Sequence, residues 1–267
     1  MTTAEKFLVV QATDLMPDSQ TTLEHGLAIA LGAEGRLVSL HVDQGEPDGP
    51  LPSAAKVLKK WGKAEDAVAH DTVVASVDKK PKKGLLRTLH DLTPDLLIVG
   101  TRQQQGEQKT FRESAAEVAA LDAQIPTLVL HLGQDGLIDD KGEVSIRRVL
   151  LPVGDGAEAR DAIRGLTMFF DNLGVTDVDI FLFRVGDDEI FEYLTLPERD
   201  GWRFHRERAK GYVSTAIGDA CESKDIDLIA MSTRGQDGVV DVFSGTHTQK
   251  VIRRVPCPVL VSPVFDD

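Results

Sequence analysis

Residues 95–102 read DLLIVGTR, and residues 227–234 read DLIAMSTR. Each stretch opens on an aspartate, continues through an apolar run and closes on Thr-Arg, and the two lie 132 positions apart. PTLV at 126–129 and PVLV at 258–261 keep that spacing. FLVV at 7–10 aligns with VLLP at 149–152 at a spacing of 142, so the second copy reads as about ten residues shorter, between its second and fourth strands. A period of this size is an internal duplication. Its content decides the fold class.

In the first copy, apolar runs at 7–11, 36–42, 72–76, 95–100 and 127–131 are bounded by turn residues. Helical patterns fill the intervals at 19–32, 53–66, 83–92 and 111–122. The second copy gives strands at 148–153, 178–185, 227–231 and 258–262, with helices at 157–173, 207–223 and 246–254. Its third strand is the hardest to place, and 202–205 (WRFH) is the candidate. Strands alternating with amphipathic helices imply an α/β fold with a parallel sheet covered on both faces. The expected architecture is two tandem doubly wound domains, 1–135 and 147–267. The linker at 136–146 lies in the aperiodic Gly- and Asp-rich stretch HLGQDGLIDDKGEVS.

The whole chain sets bounds on function. Its 267 residues carry a net charge of −13, which argues against a nucleic-acid partner or an anionic membrane surface. No apolar run approaches the ~18 residues a spanning helix needs. No secretory signal is visible, and Cys221 and Cys257 sit in separate segments without metal-ligand spacing. These features fit a cytoplasmic protein with unpaired thiols.

In doubly wound sheets ligands bind at the carboxyl ends of the strands, where strand order reverses. The stretch STRGQDGVVDVFSGTHTQKV, 232–251, begins at such an end. Ser232, Gly235, Gly245 and Thr246 form S-x2-G-x9-G-T. Glycines let backbone N–H groups approach an anion, and a helix starting after Gly245 offers free donors. The alternative is structural: Thr246 and Gln249 form a capping box, and the glycines serve turns.

The repeat, the strand ending in MSTRG, the G-x9-G-T spacing and the ending VPCPVLV resemble the universal stress protein family, over nearly the whole chain. The resemblance implies an adenine-nucleotide alpha hydrolase-like fold in each half. It implies ATP or AMP, with Mg, across the strand ends of the second copy, held by Ser232, Thr233, Gly235, Gly245 and Thr246. The family's strand-end aspartate falls at Gly154, with Asp155 next; Asp155 either serves the nucleoside or N-caps the following helix. Val185 matches the position whose backbone meets adenine, or is plain strand core. The resemblance further implies that the two copies pair through their last strands, TLVLHL and VLVSPV, with a homodimer as a further option.

Departures from the family pattern point the other way. Ser232 replaces the first glycine, and Asp237 and Asp241 put negative charge in the loop, which a metal or Arg234 would have to offset. In the first copy only Gly100 survives; Gln103 and Glu113 stand at the other two glycine positions, and Ser114 with Glu117 again forms a capping box. Glu113 at a helix start is stabilised without a ligand and can occupy the anion site. The first copy is therefore expected not to bind nucleotide.

No nucleophile with its base, P-loop or nucleophile elbow is present, which leaves at most slow ATP hydrolysis. The seven histidines, His247 included, form no local ligand cluster, so no metal site is expected. Cys257 reads as buried and inert. The basic stretch RDGWRFHRER at 199–208 reads as a solvated face, a contact surface or an edge strand. The reading is a tandem stress-response binding and signalling module. An interaction scaffold of the same fold, without nucleotide, is the alternative.

Overall fold

In the computed structural model of the chain, the described residues are 6–43, 53–76, 81–101, 124–133, 136–154, 156–186, 191, 194–233, 251–252 and 254–263. The chain divides into two compact units. The first comprises Met1–Gly133 with Ile138–Ser145, and the second Gln134–Leu137 with Ile146–Asp267.

In the first unit, β1 (Leu8–Thr13), β2 (Arg36–Asp43), β3 (Ala69–Ser76), β4 (Leu96–Thr101) and β5 (Thr127–His131) are ordered β3-β2-β1-β4-β5. Every pairing within this order is parallel. The apolar runs Leu8–Val10 and Leu96–Val99 are buried to within 3% exposure because the sheet has no solvent face here. α1 (Gln20–Gly32), α2 (Ala54–Lys60) and α3 (Pro81–Leu92) make the crossovers. Right-handed crossovers put α1 and α2 on one face and α3 on the other, and α1 touches both α2 and β1. A 3-10 turn at Pro17–Ser19 leads into α1. Residues 138–145 form a tight turn in which Asp139 Oδ1 accepts the N–H groups of Lys141 and Glu143, both at 2.9 Å. Gly142 lies against the Trp61 indole with φ +71°; a Cβ there would stand 2.3 Å from the ring.

The second unit repeats this plan. β6 (Arg148–Pro152), β7 (Val178–Val185), β8 (Trp202–Ala209), β9 (Leu228–Thr233) and β10 (Val259–Pro263) run β10-β9-β6-β7-β8, all parallel. α4 (Gly156–Leu173) covers β6, β9 and β10, and α5 (Val213–Ser223) touches β7. The close approach of α4 depends on Gly165, where a Cβ would fall 1.8 Å from Ser262 Oγ.

The structure corrects three sequence expectations. β3 starts at Ala69, three residues earlier than expected, and α2 stops at Lys60, with Gly62 at φ +71° ending that segment. The third strand of the second copy is a full eight residues, Trp202–Ala209, so the helix expected from 207 begins at Val213. Trp202 and Phe204 alternate with Arg203 and His205 along this strand, and Trp202 packs edge-on against Phe170 of α4 with ring centroids 5.7 Å apart. The third correction concerns the spacing of the copies at the front. Asp95 Oδ2 accepts the Leu8 N–H at 2.7 Å, and Asp227 Oδ2 accepts those of Arg148 and Arg147 at 2.8 Å. Asp95 N–H donates to Leu8 O, and Asp227 N–H to Arg148 O. Leu8 and Arg148 are therefore equivalent, and the spacing is 140, not 142. The ladders continue the equivalence: Arg36 matches Asp179, Ala69 matches Arg203, and Leu97 matches Ile229. The second copy is three residues longer between its first two strands, nine shorter between the next two, and two shorter before the fourth.

Candidate functional site

In the second unit strand order reverses between β6 and β9, so the crevice lies beyond the carboxyl ends of β6, β7 and β9. Ser232 and Thr233 close β9, and Val185 closes β7, half-buried. With β6 between them, the ends of β7 and β9 stand roughly 10 Å apart, two strand spacings. Gly235, Gly245, Thr246 and Asp155 lie outside the described residues. So do Arg234, Asp237, Asp241 and His247 and, in the first copy, Gln103, Glu113 and Ser114.

Three side chains shape this crevice, and two of them were not singled out from the sequence. Ser232 Oγ donates to Glu158 O at 2.8 Å, tying the end of β9 to the first turn of α4. Arg184 Nη1 donates to Val153 O at 2.9 Å and also to Gly154 O, so a guanidinium lies across the ends of β6 and β7. The Glu158 carboxylate folds back over Gly154, where a Cβ would come within 2.4 Å of Oε2. Arg184 and the Glu158 side chain thus both come to Gly154, at the end of β6.

The first unit shows what these positions become in the other copy. By the ladder equivalence Arg184 matches His41, and Val153 matches Thr13. His41 Nδ1 donates to Thr13 O at 3.0 Å, the same bond made by a different side chain. Gly154 matches Asp14, which directly follows β1, so the first copy does carry an aspartate at the strand end. Its Oδ1 accepts the Met16 N–H at 3.1 Å and the Ser19 hydroxyl, which holds the 3-10 turn ahead of α1. Gly100, the one surviving glycine of the first copy, has a packing reason: a Cβ there would meet Leu132 Cδ2 at 2.6 Å.

Under α1 the first unit holds a chain of buried polar groups. Thr22 Oγ1 donates to Ser19 O at 2.8 Å and accepts from Gln11 Nε2 at 2.8 Å. Ser39 Oγ donates to Gln11 Oε1 at 2.8 Å. That commits the serine proton, so His70 Nε2, at 2.9 Å, is the donor to Ser39 Oγ. Gln11, Thr22 and Ser39 are wholly buried. In the second unit Gln11, Ser39 and His70 become Leu151, Leu182 and Phe204, so this network belongs to one copy alone. Burial pushes the His70 imidazole below its usual 6.5, partly opposed by Asp71. It does the same to His25 on α1, opposed by the bond to Thr21 O and by Glu24.

Part of the basic stretch at 199–208 is paired with carboxylates of its own unit: Arg199, Arg203 and His205. Arg203 bonds Asp179 through two nitrogens at 2.9 Å each and also bonds Asp177, while Arg199 pairs with Asp171. His205 Nε2 lies 2.7 Å from Asp179 Oδ1 and stacks on Phe181 at 4.8 Å. Arg203 first, then His205, hold the Asp179 carboxyl far below the usual range. Cys221 and Cys257 are both buried and unoxidised, and a hydrogen bond to Cys257, with burial, pushes the Cys221 thiol up. Among the described residues no group of His, Cys, Asp or Glu is arranged to hold a metal ion, and no helix is long and apolar enough to cross a membrane.

The model of the universal stress protein family matches residues 8–131 and 187–263. A universal stress protein of Methanocaldococcus jannaschii is 32% identical over 76 residues, 28% of this chain and 45% of that protein. One from Thermus aquaticus is 36% identical over 66 residues, 25% of this chain and 44% of its own length. The chain thus spans less than half the length of these curated relatives. Among solved structures, a universal stress protein of Archaeoglobus fulgidus superposes with a TM-score of 0.66 at 20% identity, covering 97% of this chain and 98% of the other. One from Pseudomonas aeruginosa gives 0.62 at 14% identity, covering 97% and 94%. At these identities the structures speak for the fold.

Proposed function

This chain belongs to the universal stress protein family, and from that premise we propose that it is a cytoplasmic stress-response binding module whose second domain holds one adenine nucleotide, ATP or AMP with Mg. One observation carries the reading. β9 ends with Ser232 and Thr233 at the reversal of strand order, so S-x2-G-x9-G-T begins on the strand's last residues toward the crevice and its glycines and Thr246 follow in sequence. Ser232, Thr233, Gly235, Gly245 and Thr246 would cradle the phosphates through backbone N–H groups and hydroxyls. The Val185 backbone would meet the base, and Asp155 would meet the nucleoside. The first domain, with Gln103 and Glu113 at the glycine positions, binds none.

A second reading has its own support. Ser232 already spends its hydroxyl proton on Glu158 O, and the Arg184 guanidinium is bonded to strand-end carbonyls, as in an interaction scaffold that needs no ligand. Mass spectrometry of ligand released by heat, followed by titration of the emptied protein with ATP and AMP, separates the two. One nucleotide per chain, abolished by bulky substitutions at Gly235 and Gly245, supports the first reading. No binding at millimolar nucleotide with magnesium leaves the scaffold. Two per chain would refute the loss of the site in the first copy. Pairing of the two copies through their last strands, with a homodimer as the further option, belongs to the same proposal. Cysteines placed on TLVLHL and VLVSPV should crosslink within one chain if it holds.

A further inference from the structure

We propose that the outer edge of β8 binds an extended acidic segment of a partner protein, which adds to the sheet as a further strand. β8 stands last in the strand order of its unit, so only one of its sides is paired. In its parallel ladder with β7, Val178 N–H donates to Gly201 O and Gly186 N–H donates to Ala209 O. Between these ends the ladder uses the N–H and C=O groups of Arg203, His205 and Glu207. Phe204, Arg206 and Arg208 therefore turn their N–H and C=O groups outward, and among the described residues no backbone group takes them. An open row of donors and acceptors is a template for another strand.

The side chains select what can pair there. Successive residues of a strand alternate faces, so Arg206 and Arg208 share one, and both are exposed. Their neighbours are already satisfied: carboxylates take Arg199, Arg203 and His205, and Glu207 is paired with Lys224. Arg206 has no acidic partner among the described residues. Arg208 lays its guanidinium over the Phe191 ring, 5.6 Å from the centroid. The ladder equivalents in the first unit are Thr72 and Val74, so these two charges belong to the second domain alone. Two arginines on alternate residues fit carboxylates on alternate residues of an incoming strand, roughly 7 Å apart. Cross-strand neighbours lie close enough for charge-assisted hydrogen bonds. Charged edges also keep out unwanted strands. Two β8 edges would crowd arginines together, which disfavours a second copy of this chain and still admits a strand of opposite charge.

The test is fluorescence anisotropy of labelled peptides, each the length of β8, titrated with the full chain. One alternates glutamate with valine, one alternates lysine with valine, and the third is the glutamate peptide with its backbone amides N-methylated. The wild type should bind the glutamate peptide at least about tenfold more tightly than either of the others, since the second lacks the charges and the third the ladder. Arg206→Glu with Arg208→Glu should invert the preference, losing the glutamate peptide and gaining the lysine one. The melting temperature should stay nearly unchanged, because both side chains are exposed. Arg206→Gln alone should weaken the glutamate peptide about two- to fivefold, the range for one exposed ion pair. Equal binding of the glutamate and lysine peptides overturns the proposal, and so does a double variant that keeps the wild-type preference. Binding of the methylated peptide as tight as that of its parent shows charge attraction without strand addition and overturns it too. Tighter binding of an oligothymidylate, or no binding of the glutamate peptide at millimolar concentration, has the same meaning.

Discussion

Replacing Gln11 by the leucine that the second copy carries should expose how the polar chain under α1 is wired. Gln11→Leu removes two short neutral hydrogen bonds, to Thr22 and from Ser39, at about 1 kcal/mol each, and a long one to Ala12 O at 3.4 Å that adds little. Ser39 is not stranded by this change. Its proton can turn to His70 Nε2 once that ring shifts its own proton to Nδ1, so the cost stays near 2 kcal/mol. His70→Phe, again the residue of the second copy, should cost about 1 kcal/mol, because Ser39 keeps its bond to Gln11. Together the two changes leave the Ser39 hydroxyl wholly buried with no partner among these groups, which adds about 1–3 kcal/mol beyond the sum. Adding Ser39→Ala should then return that excess. The chain has two tryptophans, Trp61 in the first unit and Trp202 in the second. Denaturation followed by fluorescence in a Trp202→Phe background therefore reports the first unit. A double mutant whose cost equals the sum of the singles within about 0.5 kcal/mol would refute the wiring.

Four further outcomes are expected. The first unit should weaken between pH 7.5 and 5.5. His25 and His70 bind protons less readily folded than at their ordinary 6.5, so the unfolded chain takes up more protons and stability falls as pH drops through that value. Trp61 fluorescence at the two pH values checks this, and His25→Gln should flatten the slope. In the second unit Asp171 and Asp179 are held below the usual carboxylate range by their arginine partners, so their contribution is fully present above about pH 4 and is lost only below it; acid denaturation followed at Trp202 measures that loss. Asp95→Ala and Asp227→Ala should each destabilise their own unit by about 1–3 kcal/mol, since each removes the acceptor of a strand's first N–H groups, with the tryptophan of the other unit unmoved. Gly142→Ala should destabilise the first unit by about 2 kcal/mol or more, because the new Cβ meets the Trp61 ring in a left-handed conformation, and it should shift Trp61 emission.

The duplication and the α/β class were legible because DLLIVGTR and DLIAMSTR repeat both their apolar content and their flanking charges. β8 was harder to read. Arg203, His205, Arg206 and Arg208 are all exposed, so the burial alternation is lost after Phe204, and the run RERA that ends the strand suits a helix as well. Only pairing with β7, which supplies Asp179 and Phe181, settles the matter. The front spacing of the copies was misjudged by two because apolar runs match at several registers, whereas the hydrogen bonds of Asp95 and Asp227 match at one. Only the hydrogen-bonded register brings Asp14 into correspondence with Gly154. Val185 stands at the strand end that the sequence gives it, whereas Ser232 and Thr233, expected to open the loop after a strand ending at 231, are the last two residues of β9. Glu158 and Arg184 were passed over because neither belongs to a motif. Arg184, one residue before the end of its strand, would have been found by asking what matches His41.

The length differences between the copies fall wholly in the connections, while the ladders on either side agree residue for residue. One copy already does without nine residues that the other has between its second and third strands, and keeps an eight-residue ladder there all the same. That natural experiment marks the connection between β7 and β8 as a place where a reporter peptide or new chain termini can be engineered in. Loop closure depends only weakly on length, and the register that matters is held elsewhere.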